Sequence, residues 1–128
     1  MKTTFKTYDQ KQAQEKAKEY AAKYGVKFDF YHTGDGMRIV PVITRETEPI
    51  DDPARADAIV DYLKYWRFGC GFSTIANVLG YPVADVVGIS RHLIQTLRVT
   101  FDVDRLGNIA GIRRIGTPAG QTDGTKGI

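Results

Sequence analysis

Residues 73–97 read STIANVLGYPVADVVGISRHLIQTL, and this stretch decides how the second half of the chain folds. Ser73 is a suitable first residue for a short helix, and Gly80 supplies the left-handed conformation that ends one. Pro82 then begins a second helix that we expect to run to about Leu97. Four apolar residues of this second helix recur at helical spacing and are predicted to face a core: Val86, Ile89, Leu93 and Leu97.

A longer helix is predicted before this pair, and a β-hairpin after it. Asp52 followed by Pro53 is typical of a helix start, because the aspartate caps free amides and proline suits the first helical position. The apolar stripe of that helix consists of Ala56, Ile59, Val60, Leu63 and either Trp66 or Arg67. Residues 98–103 and 109–115 alternate in polarity as strands do, and residues 104–108 form the turn between them.

This order of elements resembles a winged helix-turn-helix over roughly residues 52–115. In residues 73–80 the resemblance rests on the capped start, on Ile75 and Ala76 facing the core, and on a leucine and glycine at the turn. Residues 89–93 (ISRHL) followed by Leu97 are similar to the second half of a recognition helix. Residues 81–88 depart from the family pattern, so either the turn is longer or the recognition helix begins about one turn earlier.

The resemblance implies a small protein that binds double-stranded DNA, often as a dimer, and regulates transcription or organises DNA. Helix 82–97 would enter a major groove, where Arg91 and Gln95 would read bases, and hairpin 98–115 would be the wing. Small residues at positions 84 and 88 would allow close approach to the groove floor, or alternatively to another helix. The residues expected to contact DNA are Thr74, Ala84, Gly88, Arg91, His92, Gln95, Arg98, Arg105, Asn108, Arg113 and Arg114.

A second interpretation keeps the same fold and changes the partner. The formal net charge is only +3, which is low for a strong DNA binder. A winged helix can instead be a protein-interaction module with little DNA affinity, in which the small face at Ala84 and Gly88 docks a protein. The compact size suits a phage or mobile-element factor that binds host machinery, and the acidic residues of segment 44–61 suit a basic partner.

The first part of the chain reads as a separate unit, so the expected fold class is α+β. A helix from about Asp9 to Tyr24, ended by Gly25, precedes two alternating strands at residues 26–32 and 37–43. Pro41 lacks an amide donor, which predicts an edge strand that is free to pair with a second copy in a homodimer. The domain organisation is therefore an α-β-β unit at 1–44, an acidic connection at 45–52, a winged helix-turn-helix at 53–116 and a flexible tail at 117–128.

Composition excludes several other classes of protein. Hydrophobic residues make up 42% of the 128 residues, yet no apolar run is long enough to span a membrane and the first residues lack a signal sequence. One cysteine and two histidines cannot form an internal disulfide or a structural zinc cluster. No arrangement of nucleophile, base and metal ligand is apparent, so we expect a cytoplasmic protein that is not an enzyme and has no cofactor.

Overall fold

The computed structural model describes residues 4–5, 9–103 and 107–115, and it is an α+β fold as expected, with helices and two small antiparallel sheets. The N-terminal elements are β1 (Thr4–Phe5), α1 (Gln10–Tyr24), β2 (Phe28–Thr33) and β3 (Gly36–Pro41). The C-terminal elements are α2 (Pro53–Leu63), β4 (Cys70–Gly71), α3 (Phe72–Leu79), α4 (Val83–Gln95), β5 (Val99–Val103) and β6 (Ile109–Arg114). The predicted tail at 117–128 and residues 104–106 of the second hairpin lie outside the described residues.

The ends of α1 are set by its own sequence. The Asp9 carboxylate accepts a hydrogen bond from the Lys11 amide at 3.0 Å, and Gly25 ends the helix in the left-handed conformation with a φ of 76°. Only small side chains, Ala13 and Ala17, are buried, so α1 lies close against the sheet formed by β2 and β3. The helix therefore packs lightly on the sheet, as its thin apolar stripe predicts.

The prediction that β3 is an edge strand is wrong. β3 pairs with β2 on one side and with β1 on the other, where Thr4 lies opposite Arg38 and Phe5 opposite Met37. Pro41 is tolerated because it lies at the last position of the strand, opposite Phe28 and beyond the two residues of β1. The edge that we expected to be free for pairing with a second copy is thus partly occupied by the chain itself.

The second half of the chain packs one core between its helices and its sheet. In that sheet β6 is central, paired with β4 through Cys70 and Ile112 and with β5 through Phe101 and Ile112. α3 and α4 are bent by 115° relative to each other at their turn. α4 begins directly after Pro82, so only a short turn separates it from α3. The fully buried side chains here include Ile59, Leu63, Phe72, Ile75, Val86, Ile89, Leu93 and Ile112.

The N-terminal unit is joined to this core by direct contacts. Tyr24 and Val26 pack against it, and the Ile43 amide donates a hydrogen bond to the Ile109 carbonyl at 2.9 Å. The predicted acidic connection lies between these contacts and the start of α2. Its two ends are therefore held, which fixes the path that the segment follows along α4.

Contrary to the prediction, Leu97 does not face the core. α4 ends two residues earlier than expected, and Leu97 adopts a left-handed conformation with a φ of 62° and is 75% exposed. The turn is held by the Leu97 amide bonding to the Ile94 carbonyl and the Arg98 amide bonding to the Leu93 carbonyl. A position of this kind favours glycine, because a side chain there crowds the following carbonyl.

We expect Leu97→Gly to stabilise the protein. The left-handed backbone costs a leucine about 1 kcal/mol that glycine does not lose, and little packing is removed from a side chain this exposed. Chemical denaturation should show a free energy of unfolding raised by about 0.5 kcal/mol, because the larger unfolded-state entropy of glycine offsets part of the gain. A stability equal to or below that of the parent chain would contradict the assignment of Leu97 as the helix-ending residue.

Candidate functional site

The acidic connection covers α4 at Gly88, which is part of the face that we expected to read DNA. Gly88 is buried, and its carbonyl accepts a hydrogen bond from the Ile50 amide at 2.9 Å. A Cβ at this position would lie 2.5 Å from Ile50 Cδ1 and 3.0 Å from the Glu48 carbonyl oxygen. The prediction of an outward Gly88 is therefore wrong, and the close neighbour is an extended segment rather than DNA or another helix.

Carboxylates of the connection and of α4 lie around this covered face. Asp51 is 3.5 Å from His92, and Arg55 bridges Asp52 at 2.6 Å and Asp85 at 2.8 Å. Hydrogen bonds to Asp85 and Asp52 raise the pKa of Arg55, and the Arg55 side chain lowers the pKa of Asp52. These pairs are partly exposed and contribute little stability individually. They place negative charge where a DNA phosphate would have to approach.

Arg91 is not displayed as a base-reading side chain. It is partly buried and lines a groove with Lys27, Thr44 and Asn108, and its Nε is buried without a hydrogen-bond partner among the described residues. The Asn108 amide group donates to the Asp29 carboxylate at 2.7 Å. The structure therefore brings Arg91 and Asn108 into one groove between the two units, away from the exposed Gln95.

The other predicted contact residues are spread over several surfaces. Arg98 is engaged by Asp57 on α2 at 2.8 Å, which ties the start of β5 to that helix. Arg113 and Arg114 lie at the end of β6, and Thr74 is exposed in the first turn of α3. Ala84 is half-buried at the start of α4, and Arg105 lies outside the described residues. These residues therefore have different surroundings, and their contact with DNA stays a prediction.

Sequence analysis missed a group of exposed aromatic side chains. The apolar stripe of α2 ends at Leu63, so neither Trp66 nor Arg67 continues it. In the loop that follows, Tyr65 is 74%, Trp66 41% and Phe68 77% exposed. The signal was present in residues 64–68 (KYWRF), where aromatic and basic residues are interleaved just before a glycine.

This loop lies beside the arginines of β6. A Cβ at Gly69 would lie 3.3 Å from the Arg113 Cβ and 3.4 Å from the Asp102 Oδ2. The hydrogen bond to Asp61 raises the pKa of Lys64, and the charge of Arg114 lowers it by a smaller amount. Lys64 and Arg67 lie over the rings of Tyr65 and Phe68, at 5.4 Å and 5.5 Å from their centroids. We call this surface the basic–aromatic edge, and its members are Lys64, Tyr65, Trp66, Arg67, Phe68, Arg113 and Arg114.

Other kinds of site find no support in the described part of the chain. No group of three or more histidine, cysteine or acidic side chains there is placed to hold a metal ion. Burial raises the pKa of the Cys70 thiol, which keeps it protonated and unreactive. Within the described ranges no single helix is long and apolar enough to cross a membrane, and α3 with α4 reaches that length only as a pair bent by 115°.

Comparisons with known proteins identify no relative of this chain. No protein-family model, curated protein or solved structure matches the chain. The class that the structure itself defines is an α+β protein with an exposed basic–aromatic edge.

Proposed function

We propose that the chain is a winged-helix protein that binds nucleic acid through the basic–aromatic edge. Helices α2, α3 and α4 followed by the hairpin of β5 and β6 have the order expected for a winged helix-turn-helix, and the short strand β4, which was not expected, pairs with β6. The 115° bend between α3 and α4 lies within the range of helix-turn-helix pairs. The resemblance extends this proposal to transcription control or DNA organisation.

One observation carries the choice of surface: aromatic rings of high exposure alternate with cations in residues 64–68 and lie next to Arg113 and Arg114. Cations gain by replacing the counterions of phosphates, and exposed rings stack on unpaired bases. Two carboxylates offset part of this charge: Asp61 pairs with Lys64 at 2.9 Å, and Asp102 lies beside Gly69 and Arg113. The remaining arginines still leave the edge basic, in contrast to the acidic surroundings of α4.

A protein partner is the second candidate, and the composition of the edge favours it as well. Tyrosine, tryptophan and arginine are the residues that most often dominate the binding energy of protein interfaces. Two more apolar side chains are exposed at the same end of the sheet: Leu97 is 75% and Ile115 is 45% exposed. They are close together because the Ile115 amide donates a hydrogen bond to the carbonyl of Arg98, the residue after Leu97. The affinity for a protein partner would depend less strongly on salt concentration than the affinity for nucleic acid.

The proposal predicts the effect of two pairs of substitutions on DNA binding, measured by fluorescence anisotropy from about 50 to 200 mM salt. Arg113→Ala with Arg114→Ala should weaken duplex binding roughly tenfold and reduce the slope of log K against log salt by about 2, since each lost phosphate contact contributes about 0.9. Tyr65→Ala with Phe68→Ala should weaken single-stranded DNA binding more than duplex binding, because only unpaired bases can stack on the rings.

A charge-matched control separates the edge from the overall charge. Lys11→Ala with Lys18→Ala removes two exposed cations from α1 and should leave both affinities within about threefold. Equal losses from the control pair and the arginine pair would show that binding is not localised at the edge. Undetectable binding of the parent chain to both DNAs at 50 mM salt would overturn the nucleic-acid proposal in favour of the protein partner.

A further inference from the structure

A cavity of about 530 Å³ lies where the N-terminal unit meets the helix pair α3 and α4. Its walls come from the end of α1, the middle of β3, one side of α3 and the turn that leads into α4. This volume is within the range of sites that hold small organic ligands. Nothing in the proposed nucleic-acid function uses it.

The charge of the cavity favours an anion. Lys23 from α1 and Arg38 from β3 both line it, and no aspartate or glutamate is among its lining residues. Both side chains are exposed, so neither loses much hydration until a ligand enters. Arg38 is fixed at its backbone by ladders to both β2 and β1, so its position relative to α3 is well defined.

Hydrogen-bond donors lie on the opposite wall. Ser73 lines this cavity, and its hydroxyl oxygen is covered and has no partner among the described residues, so its side chain has to rotate before it can donate to a ligand. Thr74 adds a second hydroxyl, and Gly71 leaves the first turn of α3 without a side-chain cap. An unpartnered buried hydroxyl is unfavourable in the free protein, and a ligand oxygen that accepts from it would remove that cost.

The rest of the cavity is larger than a single phosphate group requires. Tyr24 and Tyr81 contribute aromatic rings, over which Lys23 and Arg55 lie at 5.2 Å and 5.5 Å from the respective centroids. The exposed Asn77 amide can both donate and accept hydrogen bonds. A planar ring with polar edges suits the part of the cavity formed by the tyrosines and Asn77, and an anion suits the part formed by Lys23 and Arg38.

We propose that this cavity binds a phosphate monoester attached to a planar heterocycle, the chemical class of a mononucleotide. The phosphate lies between Arg38, Lys23 and the Ser73 hydroxyl, and the heterocycle lies against the tyrosines. Because the ligand touches α1, β3, α3 and the start of α4 together, it holds the N-terminal unit against the helix pair. This site is separate from the basic–aromatic edge and does not depend on nucleic-acid binding there.

Isothermal titration calorimetry of the full chain with adenosine and uridine monophosphates tests the proposal. Arg38→Gln should weaken binding at least tenfold, because a charge-assisted hydrogen bond to phosphate is lost. Arg45→Gln is the matched control, since it removes an exposed arginine outside both the cavity and the basic–aromatic edge and should leave the affinity unchanged. Ser73→Ala should weaken binding and at the same time raise the melting temperature of the free protein, as the unpartnered hydroxyl is removed.

Simpler probes identify which part of the ligand is recognised. Adenosine without phosphate should bind at least tenfold more weakly than the monophosphate, and inorganic phosphate should compete with the monophosphate at higher concentration. Absence of heat with both monophosphates at millimolar concentration would overturn the proposal. An affinity unchanged by Arg38→Gln would also overturn it, and so would duplex DNA displacing the monophosphate completely, which would assign the cavity to a DNA backbone phosphate.

Discussion

Gly111→Ala is expected to lower the free energy of unfolding by about 3 kcal/mol, which is the upper end of the range for forced overpacking. A Cβ at this position would lie 2.5 Å from the Cys70 carbonyl oxygen and 3.1 Å from the Gly71 Cα. Both atoms belong to the backbone of β4 and cannot rotate aside. The added methyl group therefore separates β4 from β6, and this opens the sheet beside the core at Ile112.

Urea denaturation of Gly111→Ala beside Gly34→Ala measures this effect. A Cβ at Gly34 would meet no atom within 4 Å, and this glycine does not have a positive φ. The Gly34→Ala control should be neutral or more stable by a few tenths of a kcal/mol, because alanine reduces the entropy of the unfolded chain. Equal stabilities of the two variants would show that β4 does not approach β6 as closely as described.

Gly88→Val is expected to cost about 2 kcal/mol and to act on the acidic connection rather than on the core. The nearest atoms to an added Cβ are Ile50 Cγ1 and Cδ1, at 2.6 Å and 2.5 Å, followed by the Glu48 carbonyl oxygen. A branched side chain here pushes residues 48–50 away from α4 and weakens the hydrogen bond from the Ile50 amide to the Gly88 carbonyl.

A double-mutant cycle with Ile50→Ala tests that cause. Removing the isoleucine makes room for the valine, so the double variant should lose at least about 1 kcal/mol less than the sum of the single losses. Ala84→Val, on the same helix and half-buried, is the control and should cost about 0.5 kcal/mol through helix propensity. Additive losses would place the origin of the destabilisation within α4 itself.

The same variants separate two modes of DNA binding. If α4 entered a major groove, its face would first have to be freed of residues 48–50, and Ile50→Ala would increase duplex affinity. If the basic–aromatic edge binds DNA, Ile50→Ala leaves the affinity unchanged and Arg113 with Arg114 determines it. The acidic surroundings of α4, with Asp51 beside His92 and Asp85 on Arg55, favour the second outcome.

Features that depend on neighbours along the chain were predictable. The cap at Asp9, the left-handed Gly25 and Gly80, and the aspartate and proline at the start of α2 all appear as expected. The predicted cap at Ser73 is wrong, because α3 begins at Phe72 after Gly71 and has no side-chain cap. The hairpin of β2 and β3 also forms, with Thr33 opposite Gly36 across a tight turn. These signals are local because each satisfies backbone groups within a few residues.

At Leu97, a two-residue difference in the end of α4 turns a predicted core side chain into an exposed one. Helical spacing places this residue on the same face as Val86, Ile89 and Leu93, provided that the helix continues. The helix ends at Gln95, the chain reverses at Leu97, and the side chain turns to solvent. Element ends are weakly encoded, because a final turn of helix differs little in energy from a turn that follows it.

The pattern of residues along the chain was enough to predict an α+β protein, the starts of α1, α2 and α4, and three core side chains of α4, namely Val86, Ile89 and Leu93. The tertiary structure alone decided that Gly88 is covered by Ile50, that β3 is a central strand and that residues 65–68 remain exposed. A small residue in the sequence indicates that another part of the molecule or a partner packs closely against it, but it does not identify that neighbour. That neighbour comes from a segment distant along the chain, and only the packed fold brings the two together.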